Sequence, residues 1–440
     1  MTSGKRRSPL APVANSDSEP APAPPLSAWI ATAVAVLCAA LLARTTWMGG
    51  IGWGALAPLV IGAAAYGWAR THVTGPTRAR WDLCAKFAFT VLGFVALLRH
   101  PIAVDGAPAL PVYAAIAQYV TVVDGTRFLL FTLLAMGIKF TGVIASAFAW
   151  HLLLIGQRIR FPFWSAILTS FLIGRFIGTF LPSTLGLDGY TLYEASRYSS
   201  QWSRAVTAKA LEKIIGISGL FLGMLLTLPL GYAVIVDVAT GIDRPETAPI
   251  LAAAIAVVAG GIVACVLIGL AWPRLLTAVV ALPVRLAPPA WRATAQRFEE
   301  AAGAYRGRFG LLLAALACKF VAHFSTATVY YFTALAIGVT AAAFWPITFG
   351  STIQILATVL SPTIAGEGAR EAFQALLLSK QLGGVAQAVL SASLGFIAAE
   401  AATLWGGAFL WTRTPQWRPS YCRVDGRQVD YASLTSAANP

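Results

Sequence analysis

Two stretches of an otherwise apolar chain place charge where a membrane helix would have to break. The first, "FLPSTLGLDGYTLYEASRYSSQWSRAVTAKALEKIIGISGLF", holds Pro182, Gly186, Asp188, Gly189 and Glu194 and runs on to Lys209, Glu212 and Lys213, with Arg175 shortly before it. The second, "VLSPTIAGEGAREAFQALLLSKQLG", holds Pro362, Gly366, Glu367, Gly368, Arg370 and Glu371. Proline removes a backbone donor and glycine permits conformations closed to other residues, so both stretches should interrupt a helix and free backbone amides and carbonyls. In lipid such groups are tolerated only where protein buries them or where they line a wet cavity. A charge at the bilayer centre costs roughly 3 kcal/mol on insertion scales, so it normally faces a partner or a pathway. Arg175, Asp188, Glu194, Glu212, Lys213, Glu367, Arg370 and Glu371 are therefore candidates for a substrate pathway. Cations there would attract phosphate, and carboxylates would meet an amine or a proton, which suits an amphiphilic cargo. For either stretch alone, an interfacial loop with snorkelling charges is the plainer account; their recurrence favours a pathway.

Bond-making chemistry has less support. No nucleophile elbow, phosphate loop or metal-binding carboxylate cluster occurs at the spacing it requires, so no catalytic residue, metal or cofactor is expected. Cys38, Cys84, Cys265, Cys318 and Cys422 stand singly, and His72, His100, His151 and His323 are scattered. That spacing supports neither a zinc site nor a disulfide framework. Lys139, Lys319 and Glu400 also fall within apparent spans. Structural pairing and pathway duty fit them equally, with Glu400 as a partner for one of the lysines. His151 and His323 are expected to hydrogen-bond between helices, and Trp164, Trp345 and Trp411 to anchor the chain at the membrane interface.

The elements that must position these residues follow from composition. Of 440 residues, 58% are hydrophobic and 11% charged, too apolar for a soluble domain. An all-α polytopic membrane protein is expected, with about eight full spans of about 20 residues. They are placed at Ser27–Thr46, Ile51–Ala69, Asp82–Leu98, Phe128–Ile155, Ala205–Leu230, Pro249–Trp272, Leu311–Val339 and Val385–Trp411. Two further segments, Trp164–Leu181 and Trp345–Leu360, are expected to be re-entrant or broken helices. Each opens on a Trp/Phe/Pro cluster and stops at a proline followed by glycine and an acid. They dip from opposite sides, as an inverted repeat requires. The net charge of +14 lies mainly in short links between spans, which places both termini inside a bacterial inner membrane and argues against a nucleic-acid partner. Residues 1–26, rich in Pro, Ala and Ser, are expected to be a disordered cytoplasmic tail, 27–411 the membrane domain and 412–440 a second cytoplasmic tail. The link between residues 100 and 125 is expected to carry an interfacial helix.

The two quoted stretches resemble the flippase-like membrane domain of lysylphosphatidylglycerol synthases and its stand-alone relatives. In that family a Pro-Gly-acid segment precedes a helix opening with an acid-base pair, here Glu212-Lys213, and a later Gly-rich segment precedes Arg-Glu, here Arg370-Glu371. Tyr190 and Leu192 stand where a basic residue is common in the family. The two-part synthases carry a soluble aminoacyl transferase domain after the membrane region, which this chain is expected to lack. The resemblance implies translocation of a phospholipid, an aminoacylated lipid or a polyprenyl- or hopanoid-type lipid between leaflets. A non-transporting scaffold that partners a lipid-modifying enzyme and an intramembrane lipid transferase are the alternatives. Oligomeric state is left open by the residues.

Overall fold

The computed structural model describes residues 25–48, 56–73, scattered positions from 78 to 99, and residues 101–104, 107–180, 185–272, 300–301, 303–360, 368–414 and 416–431. The chain divides into two compact units, residues 1–88 and 89–440. The first contains α1 (Leu26–Met48) packed along α2 (Leu56–Thr71). The expected span Asp82–Leu98 falls largely outside the described residues.

The second unit opens with a short antiparallel hairpin, β1 (Pro101–Val104) and β2 (Ala107–Pro111), followed by α3 (Val112–Val120), the helix expected in this link. Next comes α4 (Gly125–Gly156), started by the Asp124 carboxylate, which accepts hydrogen bonds from the amides of Thr126 and Arg127 and so satisfies two donors at the helix start. Then follow β3 (Ile159–Arg160), a π-helical turn (Phe163–Leu168) leading directly into α5 (Thr169–Phe180), α6 (Leu185–Ser199), α7 (Trp202–Thr227), α8 (Tyr232–Gly241) and α9 (Ala248–Ala271). The later half holds α10 (Phe309–Ala336), α11 (Phe344–Leu360), α12 (Ala369–Leu378) and α13 (Val385–Leu404), which continues as a 3₁₀ helix over Trp405–Thr412. Strands β4 (Arg423–Val424) and β5 (Arg427–Gln428) follow near the end of the described residues.

Among the described residues, five helices are long and apolar enough to cross a membrane: Gly125–Gly156, Trp202–Thr227, Pro245–Ala271, Phe309–Ala336 and Val385–Thr412. Helix α9 is apolar on every side and leaves Ile250, Val257, Val258 and Ile268 exposed, as a lipid-facing helix should. Helices α4 and α10 pack along each other as the central pair, and α7 crosses α10 at Gly219. A Cβ at Gly219 would come within 2.9 Å of the Lys319 and Phe320 backbone, so a side chain there would push the helices apart.

Neither of the two segments expected to break runs alone. Helix α6 folds back on α5, with Gly186 lying against the backbone of Gly178; a Cβ at Gly186 would sit 2.5 Å from the Gly178 Cα. Helix α12 folds back on α11, where Gly350 meets Leu378. The returning helices have 15 and 10 residues, about 22 and 15 Å, less than the roughly 30 Å of a hydrocarbon core. Gly186 and Gly189 therefore lie inside the returning helix instead of interrupting one, which corrects their expected role as breaks. Gly368 does occupy a break: its φ of +77° starts α12 in a conformation that favours glycine. Pro182, Pro362, Gly366 and Glu367 fall outside the described residues.

Two short sheets qualify the all-α expectation. The second joins β3, β4 and β5, antiparallel throughout, so the segment expected as a tail is folded at least to residue 431. Asp425 and Gly426 both take positive φ, the geometry of a two-residue hairpin turn. Asp425 also meets Arg204 at 3.0 Å and Arg158 at 3.9 Å, and Trp417, Val424, Val429 and Tyr431 pack on the main core of Trp150, Leu153, Phe171, Leu172, Ile215 and Leu312.

Burial of Cys422 pushes its thiol up to about 12. At neutral pH it holds almost no thiolate, the form that reacts. Cys422 in the native protein should therefore resist a maleimide reagent at pH 7.5 and become modified once denaturant is added. Rapid native modification, followed by mass spectrometry, would show that the last strands are not seated on the core.

Candidate functional site

The charged residues of α7 and α10 meet in a buried cluster. Glu212 is held between two ammonium groups, accepting at Oε2 from Lys209 Nζ and at Oε1 from Lys319 Nζ, each at 2.6 Å. Lys319 donates further to Ser146 Oγ of α4 at 2.7 Å, and the Lys209 ammonium lies 3.8 Å from the centre of the Trp150 ring. Asp188, in the first turn of α6, extends the cluster to Lys213 at 2.5 Å and Lys209 at 3.9 Å. Lys209, Glu212 and Lys319 are buried, whereas the Lys213 side chain is 48% exposed. Lys213 lies near the middle of α7.

A second group lies on α5 and α13. Arg175 donates to Glu400 Oε1 and Thr403 Oγ1, both at 3.2 Å, and Thr179 Oγ1 donates to Glu400 Oε2 at 2.9 Å. Lys139 donates to Thr326 Oγ1 at 2.9 Å and stands within electrostatic range of Arg175, Glu400 and Arg370. The expected partner of Glu400 was one of the lysines. Glu400 holds Arg175 instead, and Lys319 belongs to Glu212.

The third group opens α12. Arg370 and Glu371 are both buried, 3.3 Å apart, and the Arg370 guanidinium lies 4.0 Å from the Phe396 ring centre. Glu371 Oε2 also accepts from the Gly368 amide at 2.8 Å, which ties the charge to the helix start. Beside this pair, α11 and α12 bury polar atoms that have no protein partner: the hydroxyls of Thr348 and Ser351, Oε1 of Gln354 and both amide atoms of Gln374. Such atoms take up water or ligand groups.

Not every candidate joins these groups. Glu194 meets Arg413 Nε at 2.9 Å, in contact without an aligned hydrogen bond, and accepts from the Tyr190 hydroxyl at 2.9 Å; Arg413 stacks on Trp417. Glu194 therefore fastens α6 to the folded C-terminal segment. Of the two interior histidines, His323 hydrogen-bonds to the Gly216 backbone across helices, as expected, while His151 sits among Phe148 and Phe163 with Nδ1 unpartnered. Lys139, Lys209, Lys319 and Glu400 prove as central as the residues singled out from the sequence. For Lys139, Lys319 and Glu400 the signal is a lone charge in an apolar run.

Taken together, six cations (Lys139, Arg175, Lys209, Lys213, Lys319, Arg370) face four carboxylates (Asp188, Glu212, Glu371, Glu400) among the described residues.

Comparison with known proteins gives one assignment: a family model described as the lysylphosphatidylglycerol synthase TM region matches residues 109–407, entirely within the second unit. No curated protein and no solved structure matches the chain.

Replacing Glu212 by Gln leaves two ammonium groups buried around a neutral amide, and removing one partner of a buried pair costs about 3–5 kcal/mol. Glu212→Gln should therefore lower the unfolding midpoint in detergent markedly. The double variant Glu212→Gln/Lys319→Met should recover part of the loss, since it removes one of the stranded charges. Additive losses in this cycle would show that Glu212 and Lys319 are not coupled.

Proposed function

The chain belongs to the lysylphosphatidylglycerol synthase transmembrane family, and from that premise we propose that it is a flippase-like lipid transporter of a bacterial inner membrane. Its cargo would be a phospholipid, an aminoacylated lipid or a polyprenyl- or hopanoid-type lipid, moved between leaflets without making or breaking a bond. The observation that carries this reading is two groups of interior charge, one joining Asp188, Lys209, Glu212 and Lys319, the other placing Lys139 within electrostatic range of Arg175, Glu400 and Arg370. Charge at this depth, in helices whose outer faces are apolar, is what a polar head group needs while its tails stay in lipid.

The two folded-back helix pairs, α5 with α6 and α11 with α12, fit re-entrant hairpins in an inverted repeat. Each brings charge to the interior from a returning helix too short to cross. Alternate exposure of the two hairpins would admit the head group from one side and release it on the other. With both termini cytoplasmic, cysteines placed at Ser183 and Ser361 should react with a membrane-impermeant thiol reagent from opposite faces. Reaction from one face only would remove the inverted arrangement.

Transport is tested by reconstituting the purified protein in vesicles and measuring leaflet exchange of head-group-labelled lipids from each of these classes. The wild type should exchange at least one of them. Glu212→Ala and Arg370→Ala, if they elute as folded protein, should exchange it at least tenfold more slowly, since each strands a buried partner along the path. Absence of exchange by the wild type with every class would overturn the transport reading and favour a scaffold for a lipid-modifying enzyme.

A further inference from the structure

Helices α11 and α12 meet along a seam whose register is set by one close contact. A Cβ at Gly350 would lie 2.6 Å from a Leu378 methyl carbon, so these two residues face each other. Folding back makes the helices antiparallel, and one turn from that contact Gln354 of α11 comes opposite Gln374 of α12. Both glutamines are fully buried, beside a cluster that includes Tyr330, Ile347, Phe349 and Leu378. Neither amide atom of Gln374 has a hydrogen-bond partner, nor has Oε1 of Gln354. Gln354 Nε2 donates to the Tyr330 hydroxyl at 3.5 Å, beyond the usual range of a hydrogen bond.

Ser351 and Thr348 lie about one and two turns before Gln354 on α11. Serine and threonine within a helix commonly return their hydroxyl to the carbonyl four residues back, as Thr352 and Thr358 do to Thr348 and Gln354. The Ser351 and Thr348 hydroxyls do not, and both are fully buried without a partner. Five polar atoms on these four residues are therefore unsatisfied. They destabilise the closed seam, since apolar groups of the same shape in their place would be neutral or stabilising. Such a burden is retained where a ligand supplies the missing partners in another arrangement of the same elements.

The five atoms also select the ligand. Hydroxyls and a primary amide both donate and accept, so they match a group that does the same. The nearest charges are already paired, Arg370 with Glu371 and Arg175 with Glu400, and the Tyr330 hydroxyl stands within electrostatic range of Arg370, Glu371 and Glu400. A cation in the seam would meet Arg370, and an anion would leave Oε1 of both glutamines without a donor. A neutral hydroxyl meets neither objection. We propose that the seam between α11 and α12, at Ser351, Gln354 and Gln374, parts to bind a neutral polyhydroxyl group, the polyol portion of a lipid head group. The site rests on the transport reading only for that lipid source. Recognition of head-group hydroxyls then falls to the second hairpin, through residues that carry no charge.

The test uses the full-length protein in an amine-oxide detergent, which carries no sugar. Equilibrium binding is measured for three hydroxyl-bearing short-chain lipids (phosphatidylinositol, phosphatidylglycerol and a glucosyl diacylglycerol) and for phosphatidylethanolamine and phosphatidylcholine, which lack head-group hydroxyls. The wild type should bind at least one of the first three about tenfold more tightly than either of the last two, the worth of one or two hydrogen bonds. Gln374→Met, which removes two unpartnered atoms at nearly constant volume, should raise the unfolding midpoint and abolish that preference. Ser351→Ala should move both readouts in the same directions by less. A photoreactive group beside the hydroxyls of the preferred lipid should label peptides of α11 or α12. Free inositol, glycerol or glucose binding as tightly as the lipid would place the ligand in solution instead of the membrane. Absence of any preference for hydroxyl-bearing lipids, or a preference that survives Gln374→Met, would overturn the proposal. A raised midpoint with that preference intact would assign the seam to buried water alone. Selective binding in a protein that exchanges no lipid would retain the site and remove only transport.

Discussion

A carboxylate clamped between two ammonium groups inside an apolar bundle governs the rest of this fold. Glu212 joins α7 to α10 through Lys319, and Lys319 reaches on to Ser146 of α4, so three membrane-length helices share one ionic contact. Burying charges in this way is expensive, and it is tolerated only when each has a well-placed partner. The close crossing at Gly219 supplies that placement, because it sets the Lys319 backbone directly against α7. Packing and charge therefore depend on the same helix pair.

The remaining charges follow a similar rule with different partners. Arg175 is neutralised from α13, which ties the first folded-back pair to a long helix, whereas Arg370 is neutralised by its own neighbour on α12 and meets α13 through the Phe396 ring. Around α11 and α12 the rule is relaxed, since Thr348, Ser351, Gln354 and Gln374 keep polar atoms without protein partners. Each such atom costs about 1–3 kcal/mol if left dry.

Much of this was legible in the sequence, for identifiable reasons. Long apolar runs gave the helices from Phe128, Ala205, Pro249, Leu311 and Val385 to within a few residues, because lipid permits little else. The acid-base character of Glu212 and Arg370 was legible too, since charge in such a run is conspicuous. Pairing was not: whether Glu400 takes Lys139, Lys319 or Arg175 depends on helix rotation and crossing, which no local pattern encodes. The partner of Glu194 was not legible either, because Arg413 is more than two hundred residues away, on a segment that composition marks as a tail. The Asp425-Gly426 pair was a readable hairpin signal, but its flanking strands are too short to stand out.

That hairpin also has a bearing on how the protein is made. Strand β3 emerges from the ribosome early, directly after α4, yet its partner β4 is synthesised only once α13 is complete. Until then the edge of β3, Arg204 and Tyr198 lack the groups that cover them. Closure of this face is therefore a late event in biogenesis, and a chain halted before Arg423 would expose an unpaired strand edge and aromatic surface, features that cellular quality control recognises.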